Sequence, residues 1–169
     1  MSVAPESIVD AAQAAFMQGG VSISAASCGA APFPGVSRVL ACSVAEDRRR
    51  LTIMVARSCA QELLDDVGYS GRIAVVFSQP STNRTIQVKG DHACSGVPDA
   101  GLLEAVRIHR DAFVDEVAQL GFAAPLVRSL LEFPDDDIVS ITFAPTAAFD
   151  QSPGPRAGAP LRAAPDVAA

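Results

Sequence analysis

The chain has 169 residues, of which 49% are hydrophobic, and a formal net charge of −6. This length allows one sizeable core, and the hydrophobic share excludes disorder over the whole chain. The acidic balance argues against general affinity for nucleic acid, and no run approaches the roughly 20 apolar residues that span a bilayer.

The first half of the chain predicts two helices and three strands. Residues 5–18 form the first helix, which Gly19 and Gly20 end. Ser58 begins the second helix, at residues 59–67, as its N-terminal cap. The three strands lie between them, at residues 21–28, 36–45 and 51–56.

The second half predicts three strands and two helices. A near-continuous apolar run typical of a central strand is followed by an alternating one, at residues 72–78 and 84–95. Apolar residues at helical spacing then predict two helices, at residues 99–120 and 124–133. Residues 138–145 form the last strand.

Consecutive strands joined by short turns predict an antiparallel sheet, because a parallel sheet needs a crossover between its strands. We expect a mainly β fold with peripheral helices (α+β), the sheet closing into a barrel with the helices at its ends. Residues 1–150 would form this single domain, and residues 151–169, rich in proline, glycine and alanine, a C-terminal arm or tail.

Metal sites are not predicted. His92 and His109 are far apart in the sequence, and the cysteines form no closely spaced pair, as zinc sites normally do. The N-terminus lacks the basic and apolar regions of a secretory signal, so we expect a cytoplasmic protein with four buried, reduced thiols. These thiols are Cys28, Cys42, Cys59 and Cys94.

One group of polar residues predicts an anion site. Arg38 lies on a strand, and Arg57 and Ser58 lie where the adjoining strand gives way to a helix, with Gln61 one turn later. A serine hydroxyl, unpaired backbone N–H groups and an arginine would together bind a phosphate or carboxylate. The alternative is that Ser58 only caps its helix and the arginines pair with local acids.

The order of elements resembles the FMN-binding split barrels of the pyridoxamine 5′-phosphate oxidase-like superfamily. The resemblance covers roughly residues 10–150 and is carried by two stretches, PGVSRVLACSVAEDRRRLTIMVARSCAQELLDDV and GRIAVVFSQPSTNRTIQVKG. It implies an antiparallel split β-barrel of the FMN-binding type. It also implies a homodimer whose two cofactor clefts lie between the subunits.

The resemblance also implies roles for particular residues. Arg38 and Ser58 would hold the FMN phosphate, with Arg57 and Gln61 as further candidates. Gln87, or Thr85 in its place, would reach the flavin across the dimer. The main chain facing the isoalloxazine ring would be that of Ile53, Met54 and Val55.

Two departures from the vitamin-producing oxidases argue against their activity here. Further basic residues of those enzymes are replaced by Ser43, Cys59 and Ala60, and the chain has no tryptophan for their C-terminal substrate segment. The resemblance still implies a flavin-binding protein, and whether it is also an FMN-dependent oxidoreductase, and on which substrate, stays open.

Two alternatives remain open at this stage. The barrel could bind haem, for which His92 is the candidate ligand, or a deazaflavin. It could also be a non-catalytic dimeric binding protein whose cofactor site has decayed, as the missing basic residues suggest. A further hypothesis concerns the C-terminal segment: Gln151 and Arg156 would approach the ligand if residues 149–158 formed an arm along the dimer cleft.

Overall fold

The computed structural model describes residues 7–161 of the chain. Within them, the sequence folds into one antiparallel sheet with four helices around it. The strands are β1 (Ser22–Ser27), β2 (Gly35–Val39), β3 (Ala41–Val44), β4 (Leu51–Ala56), β5 (Ile73–Ser78), β6 (Thr85–Gly96), β7 (Ile138–Asp150) and β8 (Pro160–Leu161). The helices are α1 (Ala11–Met17), α2 (Gln61–Ser70), α3 (Ala100–Ala118) and α4 (Ala124–Leu131).

The sheet curls into a barrel through a bend between β2 and β3. Along the sheet the strands run β2-β1-β5-β6-β7-β4-β3, so β2 and β3 lie at opposite ends. Only Leu40 separates them in sequence, and its N–H donates to the Met54 carbonyl oxygen at 2.7 Å. The predicted single strand at 36–45 is therefore two strands, because one half pairs with β1 and the other with β4.

The barrel interior forms the main core. Alternate residues of each strand point inward, and the large ones among them are fully buried. Gly90 of β6 allows close packing there, because a Cβ at this position would lie 2.2 Å from a ring carbon of Phe143. The largest of these inward side chains are Ile23, Leu51, Ile53, Phe77, Ile141 and Phe143.

The outer surface of the barrel has two unequal halves. Over β3, β4 and the start of β7, the outward residues Met54, Ala56 and Ile138 are buried against Val106 of α3 and its neighbours. Over β2, β1, β5 and β6, the outward residues remain exposed or half-buried. We call the first surface the covered face and the second the open face.

The C-terminal segment extends the sheet. Strand β7 continues to Asp150, beyond the predicted end at residue 145, and β8 folds back to pair Leu161 with Ala148. The turn between them is tied to β6, since the Gln151 N–H donates to the Thr85 carbonyl oxygen at 2.8 Å. Residues 162–169 of the predicted arm or tail lie outside the described residues.

Two local expectations are wrong. Cys42 is buried, but Cys28, Cys59 and Cys94 are exposed, so three of the four thiols do not lie in the core. Ser58 does not cap α2: it lies in a separate 3-10 helix, Arg57–Cys59, and α2 begins only at Gln61. Strand β4 ends at Ala56, whose backbone is still extended, and the 3-10 helix lies between this strand and α2.

Candidate functional site

The open face carries a straight row of side chains across four strands. Arg38 of β2 lies opposite Ser24 of β1, Ser24 opposite Val76 of β5, and Val76 opposite Gln87 of β6. Four adjacent strands span three spacings of about 4.8 Å, so the row is roughly 14 Å long. It places a cation at one end and a side-chain amide at the other.

The floor around this row is made of small side chains. Ala26 and Ala74 form the next cross-strand row with Val36 and Lys89 at its ends. The two alanines are half-buried and the two end residues are exposed. The open face thus has small side chains at its centre and a cation near each end, which suits a planar ligand that carries negative charge.

Arg38 lies at the border between the open face and α3. Its guanidinium carbon is 5.8 Å from the centre of the Phe113 ring, a cation–π distance. No carboxylate among the described residues forms an ion pair with it. The guanidinium N–H groups of Arg38 can therefore donate to an anionic ligand.

His109 belongs to α3 and lies in the neighbourhood of Arg38. It is buried, and this burial is the main reason why its pKa is lowered to about 4; the nearby Arg38 charge lowers it further, while a hydrogen bond to the Val21 backbone opposes the shift. At neutral pH the imidazole is uncharged, so Arg38 supplies the positive charge here.

At the other end of the row, the C-terminal segment meets Gln87. The Gln151 side-chain amide donates to Oε1 of Gln87 at 3.3 Å. Phe149 lies opposite Gln87 on β7, and the Lys89 ammonium is 5.2 Å from its ring centre. Gln151 therefore does lie beside a predicted site residue, whereas the Arg156 side chain is 86% exposed and lies 4.0 Å from Asp150.

Ser58 and Gln61 are engaged by carboxylates instead. The Ser58 hydroxyl donates to Asp137 at 2.5 Å, and its backbone N–H donates to the same carboxylate at 3.0 Å. The Gln61 amide donates to Asp65 at 2.9 Å. A carboxylate at these donors competes with a phosphate and repels it, so this arrangement does not favour a phosphate at Ser58.

The remaining predicted residues are scattered. Arg57 is exposed in the 3-10 helix, and the Thr85 hydroxyl bonds the Ser78 hydroxyl at 2.9 Å. The other three are fully buried on β4, which pairs with β3 on one side and β7 on the other. Their main-chain N–H and C=O groups therefore take part in the hydrogen bonding of the sheet. These three are Ile53, Met54 and Val55.

His92, the candidate haem ligand, lies away from the row. It is exposed in an irregular part of β6, where the pairing with β7 shifts between Asp91 and Cys94, and its φ is 56°. Within residues 7–161, no three His, Cys, Asp or Glu side chains are grouped so as to hold a metal ion. None of the helices in that range has the length and apolar character that a bilayer crossing requires.

Comparison with known proteins gives matches by structure only. No protein-family model matches the sequence, and no curated protein matches it significantly. An F420 reductase superposes with a TM-score of 0.50 at 15% identity, over 79% of this chain and 93% of that one. HupZ from Group A Streptococcus gives 0.50 at 12% identity, over 86% and 95%.

A candidate pyridoxamine 5′-phosphate oxidase from Lactobacillus delbrueckii also gives a TM-score of 0.50, at 11% identity, over 83% of this chain and 93% of that one. The chain has the split-barrel fold. The predicted antiparallel barrel with peripheral helices is thereby confirmed. At such low identity the likeness shows the fold alone. The ligand has to be inferred from the residues of this chain.

Sequence reasoning missed the floor of the open face. Ser24 and Ala26 are outward residues of β1, where outward serines alternate with apolar inward residues in the sequence. Ala74 and Val76 are outward residues of β5, where nearly every residue is apolar, so the sequence alone does not separate the two faces of that strand. Which strands lie side by side, and in which register, is not contained in that pattern.

Proposed function

We propose that this split barrel binds FMN on the open face and that a second copy of the chain covers the cofactor. The observation that carries the proposal is the row from Arg38 through Ser24 and Val76 to Gln87. A phosphate would bind Arg38, which has no carboxylate partner among the described residues. The small side chains of Ser24, Ala26 and Ala74 leave room for a ring system.

The residues present fit such a group in part. Arg38 provides the charge-assisted donors that a phosphate needs, and the Gln87 amide offers polar contact at the far end of the row. The donors of Ser58 and Gln61 are bound to Asp137 and Asp65 and are left out of the proposed site. The site is thus smaller than the one expected from sequence.

A second subunit is part of the proposal because the open face is otherwise unprotected. Val36 is 62% exposed on this face, and Phe33 and Tyr69 at its edge are 79% and 71% exposed. Large exposed apolar side chains grouped on one surface are typical of a protein contact. We propose a homodimer in which these residues become buried.

When bound, FMN would supply the hydride-transfer chemistry of an oxidoreductase. The chain's own residues would bind and orient it: Arg38 through charge, Gln87 through hydrogen bonds and the small floor through contact. The second copy would exclude water from the ring. Binding and orienting the cofactor and excluding water require no general acid or base on the open face.

The first experiment is the absorption spectrum of the purified protein, followed by titration with FMN. Absorbance typical of a bound flavin, or saturable uptake at micromolar FMN, is expected. A Soret band would replace the proposal by haem, and preference for a deazaflavin would replace FMN by that cofactor. A colourless protein that takes up none of them would favour the decayed, non-catalytic alternative.

The second experiment separates the open face from the 3-10 helix. Arg38→Ala should weaken FMN binding roughly 10- to 150-fold, since a hydrogen bond to a charged group contributes about 1.5–3 kcal/mol. Arg57→Ala and Ser58→Ala are the controls, and each should change the affinity less than about threefold. If these two weaken binding and Arg38→Ala does not, the phosphate binds at the 3-10 helix.

A further inference from the structure

A concave surface lies between the barrel and the α3–α4 pair. We call it the hairpin groove, after the hairpin of helices α3 and α4; its volume is about 430 Å³. Phe113, Val117 and Leu131 contribute buried walls, and Phe122 and Leu130 form part of an exposed rim. Apart from Ser22 and Arg38, every lining residue is apolar.

The exposure of the rim shows that the described residues leave the groove uncovered. Phe122 is 54% exposed, Leu130 65% and Leu120 49%. Ligand sites are typically concave, mostly apolar and about 300–1,000 Å³ in volume, with a few polar groups that fix orientation. The hairpin groove has this size and composition.

The single charged residue decides which ligand the groove suits. Arg38 is the one charged side chain that lines it, and no described carboxylate pairs with this guanidinium. An apolar groove with one unpaired cation is complementary to a molecule with one anionic group and an aliphatic chain. Near the same end, Nδ1 of the buried His109 also has no hydrogen-bond partner among the described residues.

We propose that the hairpin groove binds a medium-chain fatty acid, with its carboxylate at Arg38 and its chain along Phe113, Val117 and Leu131. The proposal concerns a site beside the open face and does not rest on flavin binding. Arg38 belongs to the border of both sites, so its substitution alone cannot separate them. The rim residues belong to the groove only.

The test is calorimetric titration of the full chain, without flavin, with hexanoate, octanoate and decanoate below their micelle concentrations. Burial of each methylene should raise the affinity roughly fourfold, so each step of two carbons should raise it about 16-fold. Decanol, which lacks the charge, should bind at least about tenfold more weakly than decanoate. Arg38→Gln should remove this difference.

A matched pair of variants tests the position of the chain. Leu130→Glu places a carboxylate on the rim and should weaken decanoate binding at least about tenfold. Leu126→Glu changes a residue one turn earlier on α4 that is similarly exposed, at 56%, but does not line the groove, and should leave the affinity within about twofold. Because both side chains are exposed, both variants should fold, which circular dichroism checks.

Three results would overturn the proposal: no saturable binding of decanoate, an affinity independent of chain length, or equal effects of the two glutamate variants. A change of oligomeric state in Leu130→Glu, in a protein that does not bind decanoate, would show that another subunit covers the groove. Gln87→Ala provides the complementary control, because it should weaken FMN uptake and leave decanoate binding unchanged. Failure of one site is thus distinguishable from failure of the other.

Discussion

The covered and open faces belong to one sheet with one alternation of side chains, and they differ in what the outward residues are. On the covered face these residues are mostly apolar, and Met54 is fully buried beneath α3. On the open face they include polar and charged residues, as in the row from Arg38 to Gln87, and even the apolar ones remain exposed or half-buried. The outward residues of one half of the barrel therefore contribute to the packed interior, whereas those of the other half remain exposed or half-buried.

The largest expected effect tests this division directly. Met54→Ala on the covered face should lower the free energy of unfolding by about 2–5 kcal/mol, because it leaves a cavity under α3. Val76→Ala on the open face should lower it by at most about 1 kcal/mol. Urea unfolding followed by circular dichroism measures both, and similar losses for the two variants would remove the distinction between the faces.

The next effect concerns pH and the attachment of α3. His109 has a pKa of about 4 in the folded chain against an ordinary value of 6.5, so the unfolded state takes up this proton first as the pH falls. As far as His109 is concerned, the free energy of unfolding is therefore highest above pH 6.5. It decreases as the pH falls towards 4, by a total on the order of 3 kcal/mol.

Urea midpoints measured at pH 7.5 and pH 5 check this expectation. His109→Gln, which cannot take up a proton, should flatten the dependence over that interval. Glu116 and Asp150 also have lowered pKa values, but both titrate below this interval, since their ordinary values are already 4.5 and 3.8. An unchanged slope in the variant would show that His109 is not the titrating group.

A smaller effect sharpens the boundary between the open face and the 3-10 helix. Asp137→Ala removes the acceptor of two Ser58 hydrogen bonds and should cost about 1 kcal/mol of stability, since the pair is exposed. If FMN binds on the open face, its affinity should not change. Tighter FMN binding in this variant would mean that Asp137 had been competing with the phosphate at Ser58.

The smallest change is chemical and leaves the fold intact. Cys42 of β3 is buried, which raises the pKa of its thiol to about 12, whereas Cys28 at the end of β1 is exposed. A thiol reagent should therefore modify Cys28, Cys59 and Cys94 in the native protein and reach Cys42 only after unfolding. Cys42→Ala should remove the slow reaction alone; loss of a fast one instead would contradict the burial of β3.

The fold was predictable where each strand and helix carries its own signal. Helix α3 was expected at 99–120 and is found at Ala100–Ala118 with Asp99 as its cap, because the helical spacing and the capping residue are both local. The break at Leu40 was not predictable, because no proline or glycine interrupts residues 36–45. The bend exists because the two halves pair with different strands.

The candidate site was less predictable than the fold. Arg38 and Gln87 were assigned from the sequence, and both lie in the row on the open face. Ser58 was assigned to a phosphate because it follows a strand and precedes a helix. Its bond to Asp137 joins residues 79 positions apart, and no local pattern predicts such a partner.

The strands and the amphipathic helices could be predicted from the sequence, because their side-chain patterns depend on neighbouring residues. The short turns between consecutive strands then predicted an antiparallel barrel with peripheral helices. Only the tertiary structure decided which outward residues form a row, which face α3 covers and which donors are taken by acids. These outcomes depend on strand order, register and long-range contacts. Arg38 is one polar residue of a strand in the sequence, and register and packing place it at the border between the open face and the hairpin groove.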